Sequence, residues 1–169
     1  MNSRLLLVAG AGDTGLRLAA GAAATVAVVG LQTLRGRSPR ELHAEQVIMA
    51  QATTRPVSAL GCGLRPLVGI LDGSALVLSP DTGPLHMTVA LDRPVISLIG
   101  HLNPKRVGPY RRYRDLMIDA YGEPGEDYAI SMDARPGRME RISVQQVLDM
   151  VERWRARYAS GSAPRVSAP

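Results

Sequence analysis

Asp81-Thr82-Gly83-Pro84-Leu85-His86, followed after a short apolar run by Arg93-Pro94-Val95-Ile96-Ser97-Leu98-Ile99-Gly100-His101-Leu102-Asn103-Pro104-Lys105-Arg106-Val107-Gly108-Pro109-Tyr110, decides the fold. The apolar segment Ala75–Leu78 ahead of it reads as a buried strand, and Pro94–Ile99 reads as a second. Between them Asp81 or Thr82 can cap a helix running from Pro84 to Leu91, and Pro84 suits its first turn because it has no N–H to leave unpaired. A strand that turns directly into a helix leaves free backbone N–H groups and a partial positive charge at the turn, where an anion can rest. His86, in the first turn, adds a donor. Lys105, Arg106, Arg111, Arg112 and Arg114 then place five cations in ten residues, a loop suited to a diphosphate or an anionic acceptor.

Working outward toward the amino terminus, Arg4–Ala9 is a short apolar strand and Thr25–Leu31 a β-branched one. Between them come Gly10-Ala11-Gly12-Asp13-Thr14-Gly15 and an Ala-rich helical stretch from about Leu16 to Ala24. Gly10, Gly12 and Gly15 have the dinucleotide spacing, in which glycines allow the tight turn, close backbone approach to a pyrophosphate and helix–strand packing. Residues 3–31 therefore resemble the opening of an NAD(P)-binding Rossmann domain of the epimerase type, over one β-α-β unit. The acidic residue that would hold a ribose hydroxyl is missing, since the chain reads Gly30-Leu31-Gln32-Thr33; Arg35 and Arg37 suit a 2′-phosphate instead. No Tyr-x-x-x-Lys pair follows downstream.

The stretch 34–40 breaks periodicity and reads as a loop or seam. Glu41 to about Ala52 is expected to be a helix with Leu42, Val47, Ile48 and Met49 mostly on one side, ended by Pro56. Gly61-Cys62-Gly63 is a turn, and Leu64–Leu71 a helix stopping at Asp72-Gly73. From His101 to Met139 the chain is loop-rich apart from a short strand near Leu116–Ile118. Within it Tyr121–Tyr128 is too polar for a core element; it is expected to lie over a cleft or a partner, its acids pairing with the arginines before it. Ser143-Val144-Gln145-Gln146 is a capping box. The helix it opens is expected to bury Val144, Val147, Leu148, Val151 and Trp154, and residues beyond 159 to be disordered. Strands alternating with helices make an α/β chain with a Rossmann-like parallel sheet and flanking helices.

With 169 residues, 46% of them hydrophobic, the chain can build a real core, from Ala, Val, Leu, Ile and Met because Phe is absent. One cysteine, Cys62, excludes an internal disulfide and most metal frameworks, and fits a reducing, cytoplasmic setting. The longest nearly apolar run, Leu18–Leu31, is too short for a bilayer of roughly 30 Å. Asp13 and Arg17 interrupt the region too early for a signal peptide. A formal charge of +5 points to anionic partners.

A specific resemblance rests on Asp81-Thr82-Gly83-Pro84-Leu85-His86, Ala90-Leu91, Arg93-Pro94-Val95, Gly100 and Asn103-Pro104, preceded by Leu64-Arg65-Pro66-Leu67-Val68-Gly69-Ile70-Leu71. This set is similar to the carboxyl-terminal signature of bacterial heptosyltransferases, which add ADP-heptose to the inner core of lipopolysaccharide. The resemblance covers roughly residues 41–155. It implies the second, donor-binding domain of a GT-B glycosyltransferase, in which two Rossmann-like domains face a cleft. It implies that Asp81 meets sugar hydroxyls, that Thr82 and Gly83 offer backbone N–H groups to the diphosphate, and that His86 lies near the same phosphates. Lys105 and Arg106 would serve phosphate or acceptor. Transfer in that family is inverting and metal-independent, so no metal or other cofactor is implied beyond the ADP-sugar donor. The family's chains are much longer and carry their general base in the first domain. The base and the lipopolysaccharide-type acceptor site are therefore expected from an amino-terminal domain outside this chain. The implied location is cytoplasmic, at the inner face of the membrane, with room for peripheral membrane contact.

The expected division is a β-α-β opening over 1–40, of the same or a different ancestry, a donor-binding domain over 41–158 and a tail over 159–169. The competing function is an NAD(P)-binding oxidoreductase or epimerase fragment using Gly10, Gly12 and Gly15. Two Asp-Thr-Gly triplets, 13–15 and 81–83, also invite an aspartic-protease reading, but both lead into helices whereas those enzymes are all-β. Tyr110 and Tyr113 interleave the basic cluster as a nucleic-acid site would require, yet no nucleic acid is expected. His43, His86 and His101 have no metal-ligand spacing.

Overall fold

The structure is a computed structural model that describes residues 4–8, 25–29, 39–51, 56–109 and 112–159. Six parallel strands form one sheet: β1 (Arg4–Val8), β2 (Thr25–Val29), β3 (Val57–Ser58), β4 (Leu76–Pro80), β5 (Val95–Ile99) and β6 (Met117–Asp119), in the order β3-β2-β1-β4-β5-β6. Five helices are described: α1 (Pro39–Gln51), α2 (Leu64–Asp72), α3 (Gly83–Ala90), α4 (Pro104–Val107) and α5 (Val144–Arg157). The α/β reading with a Rossmann-like parallel sheet holds. The turn Gly10–Gly15 and the helix expected after it lie outside the described residues, as do Arg35, Arg37, Tyr110, Arg111 and the tail from 160.

The sheet is double-wound from its centre. β1 to β3 step one way and β4 to β6 the other, so the direction reverses between β1 and β4, where Leu7 lies opposite Leu78. Right-handed crossovers then put α1 on one face and α2 and α3 on the other. Consistently, α2 packs on α3, and α3 packs on β4 and β5. β5 is buried along its whole length, and β4 from Leu76 to Ser79. That is why both read as continuous apolar runs rather than alternating ones. The strands of the first forty residues and those that follow share this one sheet.

Several boundaries differ from expectation for identifiable reasons. α1 begins at Pro39 rather than Glu41, because proline is compatible with a first helical turn, so the end of the expected loop 34–40 is helical. β4 continues through Ser79 to Pro80. β3 is an edge strand of two exposed residues, too short to leave a pattern. Pro104–Val107 is a short helix capped by Asn103, whose Oδ1 accepts the Lys105 N–H at 3.0 Å. The capping box at Ser143 and Gln146 is present with both bonds. Leu148, expected inside, is 43% exposed, as is Met49 at 45%, while Val147, Trp154 and Ile48 are buried. The end of α5 is clamped by Asp115, whose carboxylate accepts from Arg157 Nη1 and Tyr158 Oη, each at 2.8 Å.

Gly108 closes α4 where nothing larger fits. Its N–H donates to the Pro104 carbonyl at 2.9 Å, and a Cβ there would meet that same oxygen at 2.6 Å and Met117 Sδ at 2.9 Å. Because the nearest atom is backbone, Gly108→Ala is expected to destabilise the protein by about 1–3 kcal/mol. Urea unfolding measures it.

Candidate functional site

The switch point of a double-wound sheet leaves a crevice outside the strands' carboxyl ends. Here that edge carries the Asp81 turn. β4 ends at Pro80, Asp81 and Thr82 follow, and α3 starts at Gly83 with Pro84 in its first turn. Thr82 occupies the cap position with an extended backbone, yet neither its side chain nor that of Asp81 caps the helix, contrary to expectation. The Thr82 hydroxyl turns back to the Pro80 carbonyl and to Ser79 Oγ, each at 3.3 Å. Asp81 Oδ1 instead lies 3.2 Å from His86 Nε2. The carboxylate side chain is only 16% exposed and the imidazole 57%, so the pair presents its histidine outward. The Leu85 N–H donates to the Thr82 carbonyl at 3.0 Å, while the N–H groups of Thr82 and Gly83 find no backbone acceptor among the described residues. Asp81, Thr82, Gly83 and His86 are thus brought together at one helix start.

The basic cluster is not kept together. Lys105 and Arg106 follow the carboxyl end of β5, on the same edge of the sheet as Asp81. A parallel connection must return the chain to the opposite edge before β6 begins, and Arg112 and Arg114 lie on that return. Arg112 accordingly pairs with Asp92, which precedes β5. Lys105 is already occupied: its Nζ donates to Asp127 Oδ1 at 2.9 Å and to the Tyr128 carbonyl at 2.6 Å, and sits 4.9 Å from the Tyr128 ring centroid. Arg106 differs, since its Nε is buried and meets no partner among the described residues.

The segment after β6 forms a strap along this same edge. Arg135 N–H donates to the His101 carbonyl at 2.8 Å, and buried Asn103 donates from Nδ2 to the Ala129 carbonyl at 2.8 Å. The strap's acids pair mainly with arginines that follow them, not with those before. Glu123 takes Arg138 and Arg141, and Glu126 takes both ends of the Arg135 guanidinium at 2.7 and 2.8 Å. Sequence reasoning also missed Tyr121, which is 1% exposed and belongs inside. The available signal was the Tyr121–Tyr128 spacing beside Arg135, which places two rings edge-on at 5.1 Å under a guanidinium.

Arg135, bonding Glu126 directly, holds that carboxyl at about 2, below its usual 4.5. A depressed carboxyl adds stability that is present in full above its unfolded pKa and is lost as pH falls through the folded value. Denaturant midpoints should therefore decline between about pH 4.5 and pH 2, and Glu126→Gln should flatten that part of the profile. Among the described residues no group of His, Cys, Asp or Glu could hold a metal ion, and no helix is long and apolar enough to cross a membrane.

Fold and site together define a double-wound Rossmann-like domain with an uncapped helix start at the carboxyl edge of its central strands. The chain belongs to glycosyltransferase family 9 (heptosyltransferase), whose sequence profile matches residues 34–125. It is 35% identical over 85 residues to the lipopolysaccharide core heptosyltransferase OpsX of Haemophilus influenzae, a match covering 50% of this chain and 24% of that one. In fold it is similar to the crystal structure of a family 9 glycosyl transferase from Veillonella parvula, with TM-score 0.67 and 20% identity over 90% of this chain and 45% of the other. It is likewise similar to E. coli heptosyltransferase WaaC with ADP, with TM-score 0.59 and 20% identity over 90% and 44%. The chain therefore spans under half the length of these solved relatives. Its architecture corresponds to one half of a GT-B glycosyltransferase.

Proposed function

We propose that this chain is the donor-binding half of a heptosyltransferase, taking an ADP-heptose-like nucleotide sugar for transfer to a lipopolysaccharide-core acceptor. The observation that carries the reading is the start of α3 at the switch point, left without a side-chain cap, with Asp81 and His86 paired beside it. The Thr82 and Gly83 amides and the helix dipole would receive the diphosphate. His86, and Arg106 with its unpaired Nε, would add positive charge as the leaving diphosphate gains charge, which is stabilisation of the kind a metal otherwise supplies. Lys105 would act by holding the strap beside the site. Asp81 would accept hydrogen bonds from the sugar. The acceptor site and general base would come from a further domain, with residues 41–158, joined in one sheet to the strands at 4–8 and 25–29, forming the donor domain. The cytoplasmic face of the inner membrane is where such an acceptor would be met.

Titration calorimetry with ADP, an ADP-sugar and NADP tests this. Binding of ADP and ADP-sugar but not NADP is expected; NADP binding that is lost on Gly12→Val would favour the oxidoreductase reading. None of the relatives named for this chain supports that second reading.

A further inference from the structure

Two hydroxyls are wholly buried in the middle of the sheet, Ser79 on β4 and Ser97 on β5, in register with each other. Every other residue of these two strands is apolar, and a buried hydroxyl is unfavourable unless it is bonded. The two differ in what they touch. Ser97 Oγ meets no partner among the described residues. Ser79 Oγ donates its one proton to the Pro80 carbonyl at 2.9 Å, so across the 3.3 Å to Thr82 Oγ1 it is the threonine hydroxyl that donates; that hydroxyl also lies 3.3 Å from the Pro80 carbonyl. A threonine at a helix cap ordinarily accepts from the second or third helical N–H. Here the second residue is proline and the Leu85 N–H is taken by the Thr82 carbonyl. The hydroxyl is left to point back at the strand, where the Pro80 carbonyl and the Ser79 side chain both meet it.

We infer that Ser79 is a positioning residue for the helix start of α3: it tethers the Thr82 hydroxyl to the end of β4 and so fixes the Thr82 and Gly83 amides before a phosphate arrives. This role rests on the proposed function, in which those amides receive the donor's diphosphate. A turn already held in the free protein does not have to be ordered on binding, and the affinity gained is that of preorganisation. Ser97, buried equally deeply one strand away but bonded to nothing among the described residues, is the internal control.

The test is titration with ADP and with inorganic pyrophosphate, alongside thermal unfolding. The set comprises the parent, Ser79→Ala, Ser97→Ala, Thr82→Val, Thr82→Ser and the Ser79→Ala/Thr82→Val pair. Ser79→Ala and Thr82→Val should each weaken binding about fivefold to tenfold, the worth of one such hydrogen bond. The pair should be no worse than Thr82→Val alone, because that variant already lacks the tether to Ser79. Thr82→Ser should recover most of what Thr82→Val loses, and Ser97→Ala should leave affinity unchanged. Where Ser79→Ala does not fold, Ser79→Cys keeps the volume and weakens the bond. A merely structural role would shift the unfolding midpoint of Ser79→Ala and leave its affinity intact; that result, or additive losses in the pair, overturns the inference. The free protein gives a ligand-independent readout: side-chain couplings of Thr82 should report one rotamer in the parent and averaging in Ser79→Ala. Couplings that do not change overturn the tether. Failure of the parent to bind either probe overturns the donor reading instead, and the couplings still decide the tether.

Discussion

Tyr121→Ala is expected to lower the stability of the fold by about 3–5 kcal/mol, the range for emptying a fully packed aromatic site. Tyr121 is among the largest fully buried side chains of the described residues, although it lies two residues past the end of β6 in a segment without regular structure. Its ring stacks edge-on with Tyr128 and lies 4.4 Å from the Arg135 guanidinium carbon. Its hydroxyl donates to the Asp133 carbonyl and meets Ser131 Oγ, each at 3.2 Å, while its own carbonyl accepts from Arg135 Nη1 at 2.9 Å. Removing the ring therefore leaves a cavity and unpins both sides of the strap. Tyr121→Phe keeps the ring and should cost about 1 kcal/mol, the value of the hydroxyl's bonds. Denaturant unfolding of the two variants separates these contributions. A Tyr121→Ala loss no larger than that of Tyr121→Phe would mean that the strap is not part of the core.

What was legible in the sequence follows from how each feature is encoded. β4, β5, α2 and α5 are continuous apolar runs or helical repeats, and they stand close to where periodicity puts them. Tyr121 was hard to read because, beyond its spacing to Tyr128, its burial comes from Arg135, Ser131 and Asp133, all more than nine residues away. The acids around it looked like a solvated loop because the arginines that hold them, 135, 138 and 141, come later in the chain. The basic cluster misled for the opposite reason. Residues 105–114 are close in sequence, but a parallel sheet carries the chain from one edge to the other between Lys105 and Arg112, so proximity in sequence did not mean one site. Asp81 to His86 was legible because a strand, a turn and a helix start are all local, and their partners lie within five residues.

The two glycine motifs that compete in the sequence are also less opposed than they look. They follow β1 and β4, and those strands are neighbours, paired in parallel with Leu7 beside Leu78. Both strands therefore point their carboxyl ends at the same crevice, the one place where a double-wound sheet accepts a ligand.

Asp81 offers the sharpest test of what sits in that crevice, because its charge has the wrong sign for a diphosphate. A carboxylate beside the Thr82 and Gly83 amides repels phosphate oxygens, and His86 at 3.2 Å offsets that repulsion only when its ring carries a proton. If the sole ligand were the diphosphate, Asp81→Asn should bind ADP at least as tightly as the parent. With a sugar attached to that diphosphate the balance reverses, since hydrogen bonds from sugar hydroxyls to a mostly buried carboxylate are worth about 1.5–3 kcal/mol. Asp81→Asn and Asp81→Ala are accordingly expected to leave ADP affinity near the parent's while weakening an ADP-sugar by about ten- to a hundredfold, down to the level of ADP itself. Equal losses for both ligands would assign Asp81 to holding the turn. Unchanged affinity for both would remove it from the site, and with it the sugar-binding role proposed for the Asp81–His86 pair.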